Sequence, residues 1–298
     1  MPFRIEFSCV SREAAILPRF SGFVVRGLLL NMFRCVDVGV ADRLHSGGEP
    51  KPYSVSPMRF RASGKTDKGF ILAPNTPCSF SVRLLDDSYA NLLIMSLAER
   101  GEFEVCGGTL TINSISVYHT SYEELISNSH ATDAFILKFL TPTYFSKWGV
   151  DFHENFPQPV TVFTNLLKLW NAFSPIAFDK KSFREWVEKS IGVSGYHLRR
   201  SLKPIDIGRG RSVGGFTGWC AYKFFPNKEY NDRTNKEYLK LLYTLCKFGE
   251  FSNVGGNRTG GFGVIKFTPK EEKVNHTNPQ KSSKKTQKRK TNQNTNKP

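Results

Sequence analysis

The 298-residue chain has no apolar run long enough to cross a membrane and no signal-peptide pattern at its start. Its six cysteines are scattered, and no two stand at the spacing of metal ligands, which argues against a zinc site or a disulfide framework. A Walker lysine and a dinucleotide fingerprint are also missing. We therefore expect a cytoplasmic protein that needs neither a metal nor a cofactor.

Acidic residues are scarce relative to basic ones. The chain has 42 Lys and Arg against 26 Asp and Glu, a formal net charge of +16. Residues 270–298 contribute +7 of this, and a tail over 269–298 is expected to be disordered because it has almost no apolar residues. The tail is either a solvated appendage or a non-specific attractor of polyanions. The remaining net charge of +9 belongs to the folded part of the chain and indicates a nucleic acid as the partner.

Hydrophobic periodicity predicts alternating strands and helices in the first half of the chain. The predicted helices are 19–34, 37–44 and 87–98, and the predicted strands are 3–10, 53–60, 70–73, 78–84, 103–105 and 110–118. The order βα-ββ-αβ is that of a ferredoxin-like domain, an arrangement shared with many binders of single-stranded RNA.

The second half repeats this order with one extra helix. The predicted helices are 161–173, 182–191 and 237–248, and the predicted strands are 135–139, 196–202, 215–224 and 264–267. The expected fold class is thus α+β, with two tandem ferredoxin-like domains over 1–122 and 132–268 and a linker near 120–132. Aromatic residues of the strand at 215–224, Phe216 and Trp219 among them, are interpreted as core residues in preference to base-stacking platforms.

A glycine-rich loop precedes the last predicted strand. Six of the fifteen residues in 249–263 are glycine, and Arg258 stands among them. Consecutive N–H groups in such a loop form an anion site, and an arginine suits a phosphate. We therefore consider Arg258 and four of the glycines to be candidate RNA-binding residues: Gly255, Gly256, Gly260 and Gly261. A flexible hairpin loop is the alternative.

A histidine and a lysine flank a Gly-Gly turn between a predicted helix and strand. His45 ends the helix and Lys51 begins the strand. Histidine can exchange a proton near neutral pH, and lysine can hold a phosphate. Beside a bound RNA, such a pair could cleave the strand without a metal. Alternatively, His45 simply caps its helix, where the helix dipole favours it.

A basic hairpin lies between the two middle strands of the second half. It carries five positive residues within thirteen: Arg199, Arg200, Lys203, Arg209 and Arg211. Phosphate contacts from such a ribbon would position an RNA without reading its sequence. A solvated charged ribbon is the alternative interpretation.

Taken in order, these segments resemble the CRISPR repeat-processing endoribonucleases of the RAMP superfamily. The resemblance rests on Leu44-His45, on the segment 50–57 (PKPYSVSP), and on the glycine-rich loop ending Gly261-Phe262-Gly263. It covers about residues 1–268. It implies two ferredoxin-like domains that bind CRISPR repeat RNA and cut the precursor once per repeat, leaving a 2′,3′-cyclic phosphate and a 5′-hydroxyl without a metal.

The resemblance also implies roles for individual residues. His45 matches the general acid/base of the family, and Lys51 matches the lysine that stabilises the transition state. Some members carry a tyrosine on the first helix, where this chain has Leu30. Arg26, one turn earlier, is a candidate replacement, although it could instead pair with a carboxylate on the surface.

Two other functions stay open. The chain could be a non-catalytic RNA-binding RAMP subunit that holds guide RNA in a CRISPR effector complex, or a phosphate-binding enzyme that uses the glycine-rich loop. The presence of His45 favours the nuclease over the RNA-holding subunit. The missing Walker lysine argues against the phosphate-binding enzyme. Contacts with effector-complex subunits and a homodimer are both compatible with the resemblance, and no membrane partner is expected.

Overall fold

The computed structural model describes residues 1–46, 50–98, 101–146, 149–201, 204–208 and 210–270. The expected tail lies outside the described residues apart from its first two positions, and the first of these, Pro269, completes the last strand. The Gly-Gly turn at 47–48 also lies outside the described residues, as do Lys203 and Arg209 of the basic hairpin.

The helices and strands alternate along the chain much as the hydrophobic pattern predicts. The helices are α1 (Gly22–Val36), α2 (Val38–His45), α3 (Ser88–Ala98), α4 (Tyr122–Ser127), α5 (Pro159–Phe173), α6 (Lys180–Ser190) and α7 (Asp232–Ser252). None of these described helices is long and apolar enough to span a membrane.

The strands of the first half are β1 (Phe3–Ser11), β2 (Ala15–Leu17), β3 (Tyr53–Val55), β4 (Arg59–Phe60), β5 (Gly64–Lys65), β6 (Phe70–Leu72), β7 (Pro77–Leu84), β8 (Glu102–Val105) and β9 (Gly108–His119). Those of the second half are β10 (Ala134–Thr143), β11 (Phe145–Ser146), β12 (His153–Glu154), β13 (Ile191–Arg200), β14 (Ile205–Gly208), β15 (Arg211–Val213), β16 (Phe216–Phe224) and β17 (Ile265–Pro269).

Both halves have the ferredoxin-like strand order. The first sheet runs β3-β7-β1-β9-β8, with β4 also paired to β7, and the second runs β13-β16-β10-β17. In each sheet the first strand of the half is central and the ladders are antiparallel. The predicted α+β class with two ferredoxin-like units is thereby confirmed.

Each sheet buries one face under its helices. Alternate residues of β1, such as Ile5 and Phe7, join α1 residues in one core cluster, and alternate residues of β10, such as Phe135 and Leu137, join α5 and α7 in another. This alternation follows from the period of two along a strand, which sends successive side chains to opposite faces. The face of the second sheet that bears the exposed Lys138 is called its uncovered face below.

The expected linker near 120–132 contains a helix. A capping box formed by Ser121 and Glu124 starts α4. Tyr122 is 3% exposed, and its hydroxyl donates to Leu85 O at 2.7 Å, so this segment is part of the core of the second half. Sequence periodicity missed α4 because six residues are too few to establish a helical repeat.

We expect the protein to lose stability above about pH 10, the usual pKa of a tyrosine. Burial raises the pKa of Tyr122 and of Tyr222, whose hydroxyls donate to Leu85 O and Pro157 O. Because these pKa values are higher in the folded state, the stabilisation is complete below the unfolded pKa and is lost as the pH rises toward the folded pKa.

The free energy of unfolding should fall by up to about 1.4 kcal/mol per pH unit for each of these two tyrosines. Denaturant unfolding between about pH 9 and pH 11 measures it. Tyr222→Phe should be less stable at neutral pH but should lose less stability across this range. Equal pH dependence of Tyr222→Phe and the wild type would contradict the prediction.

Candidate active site

Arg26 and His45 meet where two helices of the first half converge. Arg26 lies on α1, and His45 is the last residue of α2. Nη2 of Arg26 is 3.4 Å from Nδ1 of His45. Since a guanidinium can only donate, a hydrogen bond at this pair makes Nδ1 the acceptor and puts the ring proton on Nε2. His45 is exposed, so its ring is open to a ligand.

Lys51 is held at the same end of α2. Its Nζ donates to Arg43 O at 2.9 Å, and the Ser46 hydroxyl donates to the same carbonyl at 2.9 Å. Ser46 and Lys51 therefore supply the side-chain donors at this helix end, and the ring of His45 faces Arg26. His45 lies in the last turn of α2, where the helix dipole favours a histidine, so the interpretation of His45 as a helix-end residue stays open beside the catalytic one.

The hydroxyl of Tyr53 is buried next to this cluster. Tyr53 is the first residue of β3, is 0% exposed, and has no hydrogen-bond partner for its hydroxyl among the described residues. Burial raises its pKa, while the neighbouring Arg26 and Thr259 act in the opposite direction. The phenol is therefore neutral near pH 7. Its position beside Arg26 was not anticipated, because a tyrosine opening a strand has the sequence pattern of a core residue.

The glycine-rich loop packs against the start of α1. A Cβ on Gly22 would lie 1.9 Å from Gly260 O and 3.0 Å from the Cα of Gly261. The backbones approach so closely that no side chain fits between them. Gly260 N–H and Gly261 N–H donate to carbonyls of the loop itself at 2.9 and 3.1 Å.

The other two candidate glycines pack against Tyr144. Gly255 N–H donates to Asn165 Oδ1, and Gly256 N–H donates to Tyr144 O, each at 2.9 Å. A Cβ on Gly255 would lie 2.4 Å from the same Tyr144 oxygen. All four candidate glycine amides therefore donate within the protein. The expected anion site is corrected: close packing, and not phosphate binding, accounts for these glycines.

The predicted role of Arg258 as a phosphate contact is also corrected, because the structure makes it a structural residue. Its side chain lies inside the protein, and the residue is 7% exposed. Nη1 donates to Ser252 O at 2.7 Å and Nη2 donates to Lys51 O at 3.1 Å. Burial lowers the pKa of this guanidinium. Arg258 thus joins the glycine-rich loop to the backbone of Lys51, and so to the candidate site.

Asn253 makes a similar connection and was missed by sequence reasoning. It is 0% exposed, and its amide donates to Val55 O at 3.0 Å and to Phe262 O at 3.1 Å. Its φ of 56° is in the left-handed region that asparagine tolerates. The available signal was an asparagine two residues before a Gly-Gly pair, and it indicates a turn without indicating which strand the side chain reaches.

Leu30, at the position of the family tyrosine, is a core residue. It is 8% exposed and packs in the core of the first half. Arg26, one turn earlier on α1, is the residue that contacts His45. Among the described residues no carboxylate pairs with Arg26, so the alternative of a surface ion pair has no support there.

The basic hairpin is anchored close to the start of α1. Val213 of β15 packs in a small cluster with Phe262 of the glycine-rich loop and with Phe20 and Phe23 at the start of α1. Three of the five predicted basic residues are described, and all three are exposed: Arg199, Arg200 and Arg211. The hairpin therefore presents positive charge on the side of the molecule where the loop and α1 meet.

A metal site is not found in the part of the chain that the structure describes. No group of three or more His, Cys, Asp or Glu side chains there could hold an ion. The six cysteines, all within the described ranges, form no disulfide. The candidate site thus has an exposed imidazole in contact with a guanidinium, and an ammonium group held at the same end of α2.

Comparison with known proteins gives a family match over part of the chain and a fold over most of it. Residues 137–265 match the family of the CRISPR-associated endoribonuclease Cas6. No curated protein matches the chain. Among solved structures, a product complex of Cas6 (TTHB231) has a TM-score of 0.71 at 22% identity and covers 90% of this chain and 99% of that chain. The Thermus thermophilus Cas6 (TTHB231) has a TM-score of 0.66 at 21% identity, covering 90% and 98%.

A product complex of a second Cas6 (TTHA0078) is similar at a TM-score of 0.66 and 23% identity, covering 91% of this chain and 100% of that chain. At such identities the structural likeness establishes the fold. Residues 137–265 thus match the Cas6 family, and about nine tenths of the chain has the fold of the solved Cas6 structures, as the resemblance to the CRISPR repeat-processing endoribonucleases predicts.

Proposed function

We propose that the chain is a metal-independent endoribonuclease that cuts CRISPR precursor RNA within its repeats. The observation that carries the proposal is the 3.4 Å contact between Arg26 and His45, with Lys51 held at the same helix end. Three separate segments supply these residues, and two of the three side chains are permanent or near-permanent cations. The Cas6 family match and the likeness to Cas6 product complexes support RNA as the substrate.

The proposed reaction is an internal transesterification. His45 accepts the proton of the ribose 2′-hydroxyl, whose oxygen attacks the adjacent phosphorus. The bond to the 5′-oxygen breaks, and that oxygen takes up, in net terms, the proton that His45 removed, leaving a 2′,3′-cyclic phosphate and a 5′-hydroxyl. Lys51 and Arg26 stabilise the negative charge that develops on the phosphoryl oxygens. Because Arg26 occupies Nδ1 of His45 in the free protein, its guanidinium would move onto the phosphate as RNA binds.

The remaining residues of the proposed site position the catalytic ones. Arg258 and Asn253 fix the segment of Lys51 and β3, and Gly22 with Gly260 fixes the start of α1. The described arginines of the basic hairpin are proposed to contact RNA phosphates outside the reacting bond: Arg199, Arg200 and Arg211.

The test is incubation of the protein in EDTA with a CRISPR repeat RNA from its own genome. We expect one discrete cut, with a 2′,3′-cyclic phosphate on the upstream product. Cleavage that is lost in EDTA and restored by Mg²⁺ would contradict metal independence. Tight binding without any cut would favour the RNA-holding subunit of an effector complex.

Lys51→Ala is expected to lower the single-turnover cleavage rate by about 10²–10³-fold at saturating protein. The reason is the loss of a cation beside the phosphoryl oxygens, where charge develops only in the transition state. The dissociation constant for RNA should change by less than the rate. Lys65→Ala, at an exposed lysine of β5, is the matched control. Equal rates for Lys51→Ala and Lys65→Ala would remove Lys51 from the mechanism.

A further inference from the structure

The uncovered face of the second sheet carries an exposed tryptophan. Trp219 of β16 is 38% exposed, so its interpretation as a core residue is wrong. Phe216 on the same strand is 2% exposed and is a core residue, as predicted. Among the described residues, no aromatic ring packs against Trp219 and its indole N–H has no hydrogen-bond partner. A large aromatic left open in this way is available for a ligand.

Trp219 lies in a row of polar and basic side chains that crosses the four strands. It pairs in register with His197 on β13 and with Lys138 on β10, and Lys138 pairs in turn with Lys266 on β17. Directly paired residues share one face of a sheet, so all four project from the uncovered face. All four are exposed. Arg199, one of the predicted RNA-binding residues, is on this same face two residues after His197.

The indole leans over the neighbouring strand. Its Cζ3 and Cη2 atoms would be 3.7 and 3.9 Å from a Cβ on Gly195. These are ordinary van der Waals distances, so the ring lies along the sheet next to β13. A ring in this position has a surface on which a flat, unpaired base can stack.

Positive charge continues from this row toward the other half of the molecule. Lys266 also lines a cleft of about 460 Å³ between the two halves, together with Arg4, Arg59 and Arg83. Two acidic residues, Glu6 and Glu250, line the same cleft. The basic residues outnumber the acidic ones, so the surface that leads away from Trp219 favours a polyanion.

We propose that Trp219 is a base-stacking site for single-stranded RNA, with Lys138 and Arg199 contacting the flanking phosphates. Single-stranded RNA is the occupant that fits because it combines unpaired bases with a phosphate backbone. A duplex has no exposed base face within its stack. The inference rests on the proposed function only in taking RNA as the polyanion, and it concerns a surface separate from the His45 cluster.

The test uses a single-stranded RNA of about ten nucleotides without a cleavage site, beside the same sequence as a duplex. Trp219→Ala should bind the single strand about tenfold to a hundredfold more weakly, and Trp219→Phe should keep most of the affinity. Duplex binding should be the same for all three proteins. Phe152→Ala, at another exposed aromatic residue, should bind like the wild type.

Tryptophan fluorescence provides a second readout. Trp170 and Trp186 are fully buried, so quenching by the single strand should be smaller in Trp219→Phe than in the wild type. Circular dichroism of Trp219→Ala checks that the variant is folded. Wild-type affinity of Trp219→Ala for the single strand, or equal losses for strand and duplex, would overturn the proposal. A protein that binds the strand through Trp219 but never cuts repeat RNA would overturn the proposed nuclease and leave this inference in place.

Discussion

His45→Ala is expected to lower the rate of RNA cleavage by about 10²–10⁴-fold, the usual contribution of a general acid or base. RNA affinity should be nearly unchanged, because the imidazole contributes one group to a large basic surface. The side chain is exposed and the end of α2 is capped by Ser46 and Lys51, so the free energy of unfolding should change by no more than about 0.5 kcal/mol. Single-turnover cleavage of repeat RNA in EDTA measures the effect.

His119→Ala is the matched control, because His119 is an exposed histidine on β9 of the same half. It should cleave like the wild type. If His45→Ala keeps its cleavage rate, the chemistry lies elsewhere and the role of His45 is disproved. If it also loses RNA binding, His45 is a binding residue, and the rate loss cannot be assigned to proton transfer.

Arg258→Ala is expected to destabilise the protein by about 3 kcal/mol. The substitution leaves Ser252 O and Lys51 O without their donor inside the protein, where each unsatisfied group costs roughly 1–3 kcal/mol. Arg258→Lys should restore little, because one ammonium group cannot donate to two carbonyls in the geometry of the planar guanidinium. Denaturant unfolding measures the loss.

Arg59→Ala, at an exposed arginine on β4, is the control and should stay within about 0.5 kcal/mol of the wild type. The sequence alone suggested a phosphate contact for Arg258, and that hypothesis makes a different prediction. It requires weaker RNA binding with a shallower salt dependence and an unchanged unfolding free energy. If RNA binding weakens in this way and the free energy of unfolding does not change, Arg258 contacts RNA, and the arrangement in which it is buried is not the one that binds RNA.

The fold class could be predicted from the sequence because it depends on the order of helices and strands, and local hydrophobic patterns indicate that order. Apolar residues at helical spacing marked α1, and alternation marked β1 and β10, each overlapping the observed element. Short elements without a repeating pattern, such as α4 and the two-residue strands, were missed. The burial of α4 depends on Leu85, a residue distant in sequence, and local patterns contain no such information.

The residue types suited to RNA cleavage, a histidine and a lysine around a Gly-Gly turn, were determined by the sequence alone. The tertiary structure decided which other side chains join them. It brought Arg26 to His45, put Tyr53 beside Arg26, and buried Arg258 against Lys51 O. It also exposed Trp219. The physical reason is that a charged or aromatic side chain has the same local pattern whether it faces solvent or the interior, and only the packing of distant segments decides between them.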